Sequence, residues 1–482
     1  MVNNATSILE YHSETAHTRD SITGRALNWG DQPVPFKLYR NVPIFHLPQD
    51  FSWPEIPLDR AMNFRTFNST ASMPELLAAI CNLAAGITQV KKHSEGAVFN
   101  FRAMPSAGAL YPTELYVALQ NVNGLNDGLY HYGPMEHTLS QLRTGQVFSA
   151  LAGSEPIIRF YLTTIFHRSA WKYGPRAYRY CLLDAGHMAE NLLMAARIHG
   201  LHAKLDYNFK DTLISDFLCL DQSLEACLAQ VHTLGCGPET HIYDSVPPES
   251  DDLATFSLSA AKATAPEEIL YAHQLCSSPG RKPLALEIST TPDTTPLPDP
   301  IVPASASATV QRRRSKRNFF TRPAPTRDLI DILSLICRDN DAEPPCTNAI
   351  QVGFLAGESS GLTPGYHLLD RTTQATTLVK SGNFMAQSAR ACLDQGWLEN
   401  AAMHIVFTAD IKSLEQQCGP RAYRYAHLEA GRIGQRAYLA ATAKNLGACG
   451  IGAFFDQDGA ALLNLPEGHA LLYLVAIGPI KM

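Results

Sequence analysis

The sequence is poor in charge and lacks several signatures that would assign it at once. Charged residues make up 17% of its 482 positions against 45% apolar ones. Yet no uninterrupted apolar stretch approaches the roughly 18 residues that a membrane-crossing helix needs. The net charge is −6, from 39 Lys and Arg against 45 Asp and Glu with His counted neutral. A chain of that sign is not expected to bind nucleic acid by electrostatics. The opening MVNNATSILEYHSETAH has no basic region leading into an apolar run, so no secretory signal is expected, and a cytoplasmic setting is. Eleven Cys are scattered along the chain and none forms a C-x-x-C pair. That spacing argues against a zinc ribbon or a thioredoxin-like motif, and no metal site is expected. Free thiols in a reducing compartment are the simplest reading. A GK[ST] phosphate loop is also missing.

The apolar content is ample for packed cores and excludes disorder as the main state. At about 150 residues per domain the length allows about three. An internal repeat sharpens that estimate. Gly174-Pro175-Arg176-Ala177-Tyr178-Arg179-Tyr180 returns as Gly419-Pro420-Arg421-Ala422-Tyr423-Arg424-Tyr425, an offset of 419 − 174 = 245. At that offset Leu183, Ala185 and Gly186 return as Leu428, Ala430 and Gly431, with Asp184 as Glu429. Phe209 and Asp211 return as Phe454 and Asp456. A unit this long is a whole domain, not a solenoid turn.

Weaker landmarks keep the same order in both halves. Leu76, Leu77 and Ile80 form one helical face, as do Leu329, Ile332, Leu333 and Ile336. Leu115–Leu119, Ile157–Leu162, His404–Thr408 and Leu471–Ile477 read as strands, and Leu182–His199 and Leu428–Leu446 as helices. The mixture predicts two α+β domains. The expected organisation is an extended N-terminal arm over 1–57, domains over 58–245 and 310–482, and a linker over 246–309. Pro33, Pro35, Pro43, Pro48, Pro54 and Pro57 favour the arm, and the Pro-, Ser- and Thr-rich stretch 290–309 favours an extended linker.

Four segments could carry chemistry, each with a plainer alternative. Arg312-Arg313-Arg314-Ser315-Lys316-Arg317 offers convergent charged donors for a phosphate, or is a solvated basic patch. In Met104 to Pro112, the small residues Ala107 and Gly108 let a flat ring approach the backbone, and Ser106 could pair with its polar edge; otherwise this is a tight turn. Gly447 to Phe454 is a Gly-rich turn after a long helix, or that helix's end. Lys172 beside Tyr173 could move a proton if both were desolvated, or could be a surface Lys next to a packing ring.

Taken together, these residues resemble the flavin-dependent nitroreductase fold, and within it the SagB/thiazoline-oxidase-type dehydrogenases. The resemblance is carried by Pro105 to Pro112 with Glu114-Leu115-Tyr116, by Trp171 to Tyr180, by Asp184-Ala185-Gly186-His187 and by Asn191-Leu192. Asn28-Trp29-Gly30-Asp31-Gln32-Pro33-Val34-Pro35-Phe36 of the arm also looks like tandem members of the group. The resemblance implies a dimeric α+β fold with FMN at the dimer interface. One protomer gives a basic R-x-S-x-R/K segment and a late Gly-rich turn; the other gives the P-S-x-G loop. Two fused halves would then form an internal pseudo-dimer, expected to be monomeric, with two potential sites.

The halves offer different parts of those sites. The second has Arg313, Ser315 and Arg317 with Gly450, Ile451 and Gly452; Arg314 and Lys481 are counted with them. At the matching positions the first half has Ala61, Asn63 and Arg65, then Leu205-Asp206-Tyr207-Asn208-Phe209. Conversely Pro105, Ser106, Ala107 and Gly108 occur only in the first half, where the second has Glu343 to Asn348. Lys172-Tyr173 is matched by Gln417-Cys418. One complete flavin site is therefore expected. The resemblance implies an FMN-dependent dehydrogenase or oxidase acting on a peptide- or amino-acid-derived intermediate, of the azoline-to-azole type, with Lys172 and Tyr173 in deprotonation. An NAD(P)H-dependent nitro or quinone reductase and a flavin-less scaffold stay open. The expected partner is a small-molecule or peptide substrate, with neither nucleic acid nor membrane.

Overall fold

The computed structural model describes residues 7–21, 27–63, 67–92, 98–148, 156–233, 264–279, 294–338 and 349–481. The chain divides into two compact units, one of residues 1–26, 55–64 and 280–482, the other of 27–54 and 65–279. Each is a mixed helix and sheet domain.

The unit built mainly from the first half carries a seven-stranded sheet. Its strands are β1 (Ile44–His46), β4 (Thr113–Gln120), β5 (Gly128–Gly133), β6 (Thr138–Thr144), β7 (Ile157–Ile165), β8 (Lys204–Asp206) and β9 (Glu225–His232). A separate hairpin joins β2 (Ile87–Lys92) to β3 (Val98–Arg102). The sheet order is β1-β6-β5-β4-β7-β9-β8, and every neighbouring pair is antiparallel. All residues of β4, β5 and β7 are buried, so apolar residues such as Leu115 to Leu119 and Phe160 to Leu162 run consecutively instead of alternating with exposed polar ones.

The other unit repeats this plan. Its strands are β10 (Thr295–Pro296), β11 (Gln351–Ala356), β12 (Gly365–Asp370), β13 (Ala375–Ser381), β14 (Met403–Asp410), β15 (Gly447–Ile451) and β16 (His469–Gly478). Their order, β10-β13-β12-β11-β14-β16-β15, is the same topology as in the first sheet, again antiparallel throughout. The sequence duplication is thus a duplication of fold.

The repeated heptapeptide has a structural reason. Helices Phe166–Tyr173 and Ile411–Cys418 end on Gly174 and Gly419, with φ of 57° and 82°. A side chain at that φ would crowd its own backbone, so glycine closes both helices. The chain then enters the 22-residue helices Ala177–Ile198 and Ala422–Ala443. Every residue of the first is buried, and Ala, Leu and Met on all its faces suit that position. The expected helical faces hold as well: Leu76, Leu77 and Ile80 lie in helix Met73–Ala85, and Leu329, Ile332, Leu333 and Ile336 in helix Thr326–Cys337, all buried.

Several segments read as extended carry helix. Ile8–Glu14 is helical, capped by the Ser7 side chain, with Ile8 and Tyr11 buried. The prolines that suggested an extended arm begin only at Pro33, beyond that helix. The Ile8 amide donates to Glu415 Oε1 at 3.0 Å, and His12 Nδ1 lies 3.1 Å from Tyr423 Oη. In the linker stretch, Glu267–Leu275 and Ala306–Arg312 are helices, the latter capped by Ser305. Buried Ile269, Ala272, Ala306 and Val310 anchor them, which outweighs the flanking prolines. Among the described residues, no helix is long and apolar enough to cross a membrane. The nine described Cys are free thiols.

Candidate active site

The candidate residues fall into two clusters, one in each unit. The first is the turn between β3 and β4. Residues Ala107–Ala109 form a 3-10 turn in which Gly108 has φ 65°, followed by Ala109 at 56° and Tyr111 at 47°. Non-glycine residues are strained in that region of backbone space, so the turn needs outside support. Helix Ala177–Ile198 supplies it. Ser106 Oγ donates to Asp184 Oδ2 at 2.5 Å, and the Ala107 amide donates to Asp184 Oδ1 at 3.2 Å. The Tyr111 amide donates back to Ser106 Oγ at 2.9 Å. The Ser106 hydroxyl, read from the sequence as a partner for a heterocycle's polar edge, thus donates to the helix and accepts from its own loop. Burial pushes the Asp184 carboxyl up to about 7, against the pull of Ser106 and the Ala107 amide.

Below the turn lies a buried ion-pair network. Arg168 Nη1 donates to the Tyr111 carbonyl at 2.8 Å and to Glu114 Oε1 at 2.5 Å, and His131 Nε2 is 3.1 Å from Glu114 Oε2. Burial alone would raise the Glu114 carboxyl, but Arg168 and His131 outweigh it and hold it at about 2.

Lys172 and Tyr173 end helix Phe166–Tyr173 and reach this turn. A Cβ built on Gly108 would stand 2.8 Å from Tyr173 Oη and 3.3 Å from Lys172 Cδ, so both side chains pack directly on the glycine. Lys172 Nζ sits 5.5 Å from the Tyr173 ring centroid, and Lys172 is exposed. The neighbouring Trp171 donates from Nε1 to the Asn28 carbonyl at 3.0 Å and packs edge-on against Trp29 at 5.5 Å. The structure therefore brings Gly108, Lys172 and Tyr173 together.

The second cluster is the basic segment of the other unit. Arg313 to Arg317 runs beside β15: Ser315 bridges Ala448, and the Lys316 amide donates to the Ala448 carbonyl at 2.9 Å. Tyr438, on helix Ala422–Ala443, ties the parts together. Its hydroxyl lies 3.0 Å from Ser315 Oγ, accepts from the Gly450 amide at 2.5 Å, and its ring centroid is 5.6 Å from the Arg313 guanidinium carbon. Burial raises the Tyr438 hydroxyl above its ordinary value, so it stays a neutral donor and acceptor. Sequence reading missed Tyr438. Its counterpart at the 245-residue offset is Leu193, so the hydroxyl occurs only in the half with the basic segment, and that difference could have marked it.

The other members lie nearby with different surroundings. Arg313 is buried, Arg314 Nη1 donates to the carbonyls of Gln311 and Arg313, and Arg317 sits 5.9 Å from the Trp397 ring centroid. Arg312, Ser315, Lys316 and Arg317 are exposed. Asn318 Nδ2 donates to the Lys481 carbonyl at 2.6 Å, which places Lys481 at the segment's end. The expected Gly-rich turn is strand β15 as far as Ile451. A Cβ on Gly450 would stand 1.8 Å from Tyr473 Oη, so packing on that ring already requires the glycine. The chemistry of this donor set, several guanidinium and ammonium groups on one extended segment with a hydroxyl among them, fits a phosphate.

The matching positions elsewhere are differently occupied. Asp206 accepts from the Asn208 amide and from Gln230 Nε2, both at 2.8 Å, so its carboxylate is committed to local structure. Cys418, opposite Tyr173 in the repeat, is buried. Arg65 and Glu343 to Asn348 lie outside the described residues. One unrelated pattern also resolves. Gly357-Glu358-Ser359-Ser360-Gly361 has the G-x-S-x-G spacing of a serine nucleophile elbow, but it runs from β11 through a 3-10 turn to β12 and lacks the following helix.

A model of the nitroreductase family matches residues 62–235 and again 310–479. The chain belongs to the nitroreductase family. Two curated relatives of this nitroreductase are 28% and 29% identical to it. They are the trifolitoxin-processing protein TfxB of Rhizobium leguminosarum bv. trifolii, matched over 169 residues, 32% of this chain and 45% of TfxB, and the microcin B17-processing protein McbC of Escherichia coli, matched over 140 residues, 26% of this chain and 52% of McbC. The chain thus spans about half the length of these two relatives. A solved structure of a nitroreductase-like protein from Anabaena variabilis is 26% identical. It covers 98% of this chain and all of its own, with a TM-score of 0.79.

Proposed function

We propose that this nitroreductase is an FMN-dependent oxidoreductase that dehydrogenates a heterocycle in a peptide- or amino-acid-derived intermediate. The observation that carries the reading is the packing of Lys172 and Tyr173 on Gly108. It puts a candidate proton acceptor and a hydroxyl beside the backbone that suits a planar ring. That TfxB and McbC are peptide-processing proteins supports a peptide-derived substrate.

In this reading Arg313, Arg314, Ser315 and Arg317 hold the flavin phosphate, with Lys481 and the Gly450–Gly452 backbone close by. Pro105 to Gly108 presents backbone to the ring system. FMN, when bound, supplies a two-electron acceptor. Turning an azoline into an azole removes two hydrogens, one as a proton and one as hydride. Lys172 takes the proton from the ring carbon, and Tyr173 orients the substrate or relays that proton. Lys172 is exposed, so the bound substrate has to cover it for this step to run.

That exposure favours a second reading. If Lys172 stays in water, the chain is better read as a reductase that takes hydride from NAD(P)H. An anaerobic titration separates the two. Bleaching of the flavin absorbance by an azoline-containing peptide, and not by NADH or NADPH, is expected. Bleaching by NAD(P)H alone would reverse the assignment.

A further inference from the structure

The proposed chemistry does not use the buried carboxyl of Asp184. Asp184 is 4% exposed and accepts from both Ser106 Oγ and the Ala107 amide, while Ser106 Oγ accepts from the Tyr111 amide. Three polar groups of one short turn therefore converge on a single carboxylate and the hydroxyl it holds. The turn they hold contains Gly108, Ala109 and Tyr111 at positive φ, two of them non-glycine. Such backbone persists only where its surroundings fix it.

The duplication provides a comparison within one molecule. The counterpart of Asp184 is Glu429, at the same depth in the equivalent helix. Its carboxylate is bound by Arg432, with Oε2 at 2.9 Å from Nε and Oε1 at 2.7 Å from Nη2, and Arg371 Nη2 lies 3.8 Å from Oε1. The half with Glu429 has no Pro-Ser-x-Gly sequence. The half that keeps the loop keeps a carboxylate on the loop; the half that lost the loop has turned its carboxylate to arginine.

We propose that Asp184 is a positioning residue for the flavin: acting through Ser106, it holds the Ser106–Tyr111 turn in the one shape that presents Gly108 to the ring. This rests on the flavin reading above. It goes beyond it by assigning a role to a side chain that faces the loop rather than a substrate, and by making Asp184 and Ser106 a single unit.

The test uses the full-length protein, stripped of flavin and titrated with FMN by fluorescence quenching. Leaving the Ser106 hydroxyl and the Ala107 amide without their buried acceptor is expected to weaken FMN binding about 5- to 150-fold in Asp184→Ala. Ser106→Ala should weaken it similarly, and the double variant no more than the worse single one, because the two act as a unit. Glu429→Gln should leave FMN affinity unchanged. Hydrogen exchange at the Ala107 and Tyr111 amides, read on the flavin-free protein, should quicken in Asp184→Ala. If Asp184→Ala does not fold, Asp184→Asn keeps the size of the side chain and removes one of its two acceptor oxygens, and the same weakening is expected in smaller degree. Additive losses in the double variant, or wild-type FMN affinity in Asp184→Ala, overturn the proposal. Wild-type protein that takes up no FMN overturns the flavin reading and this role with it. Faster exchange with unchanged FMN affinity overturns this role alone and leaves Asp184 as a folding contact.

Discussion

Residue types decide the chemistry here, and individual side chains provide the sharpest tests. Removing Arg313 or Arg317 is expected to release flavin. A lost charge-assisted phosphate contact costs roughly 1.5–3 kcal/mol, about 10- to 150-fold in affinity. Arg313→Ala should be the worse of the two, since its guanidinium also lies over Tyr438. Arg65→Ala should change affinity little, because Ala61 has already replaced the arginine in the matching segment of that half. Equal loss in all three variants, measured by flavin retention on gel filtration, would remove the basic segment from the site. Lys172→Ala should stay yellow and lose about 100- to 10,000-fold in turnover, as general-base removal typically does. Wild-type turnover in that variant would make the pair structural. Arg313, Ser315, Gly108, Lys172 and Tyr173 could be picked out as candidates because their spacing follows the family pattern. Tyr438 was not, because a lone Tyr within a long buried helix reads as core. Asp184 was legible only as part of the resemblance, since nothing in a sequence shows that a helix carboxylate will meet a loop 78 residues earlier.

Elements with a strong period were legible, and those fixed by distant partners were not. The helices Ala177–Ile198 and Ala422–Ala443 from Leu182 and Leu428 onward, and the buried strands β4, β7, β14 and β16, follow from apolar runs and helical faces; the first turns of both helices, which lie in the repeated heptapeptide, do not. β15 does not: Gly447-Ala448-Cys449-Gly450 has little strand propensity, and it is a strand because β16 and the Lys316 amide bind its backbone. Tertiary packing also sets how these elements respond to acid. His404 on β14 is fully buried, with Nε2 donating to the Leu398 carbonyl at 3.1 Å and Nδ1 accepting from Ser388 Oγ at 2.9 Å. Burial lowers its imidazole from 6.5 to about 4. The folded state then binds fewer protons than the unfolded one between those values, so stability falls as pH drops from 6.5 toward 4. A full shift of this size is worth roughly 3 kcal/mol. His199, lowered to about 4 by burial in the other sheet's domain, acts in the same direction. Thermal midpoints from neutral pH down to about 4 should fall less steeply in His404→Gln than in the wild type. Parallel curves would mean that His404 does not carry this part of the acid sensitivity.

At the scale of the molecule, the two sheets share one topology while the candidate residues do not. Duplication by itself would leave each half with every part: basic segment, Gly turn, P-S-x-G loop and Lys-Tyr pair. The second half retains Arg313, Ser315, Arg317 and Gly450; the first retains Pro105 to Gly108 and Lys172-Tyr173. Random decay of two equivalent sites would not sort the parts so that each missing piece survives in the other half. That sorting supports the proposal of one flavin per chain. The fold was legible as a repeat, whereas the expectation of one working site comes only from setting the halves against each other residue by residue. The expected outcome is one FMN per chain and a monomer in solution, because a fused pair supplies from one chain what separate protomers supply by association. Acid extraction of flavin, quantified against protein and combined with light scattering, reads both at once. In the first half Leu205, Asp206 and Tyr207 stand where the second has Gly450, Ile451 and Gly452. A flavin-to-protein ratio near two would mean that those three side chains tolerate a second flavin despite the Asp206 carboxylate. An obligate dimer that sheds its flavin on dilution would mean that the second copy of the fold does not substitute for a second chain.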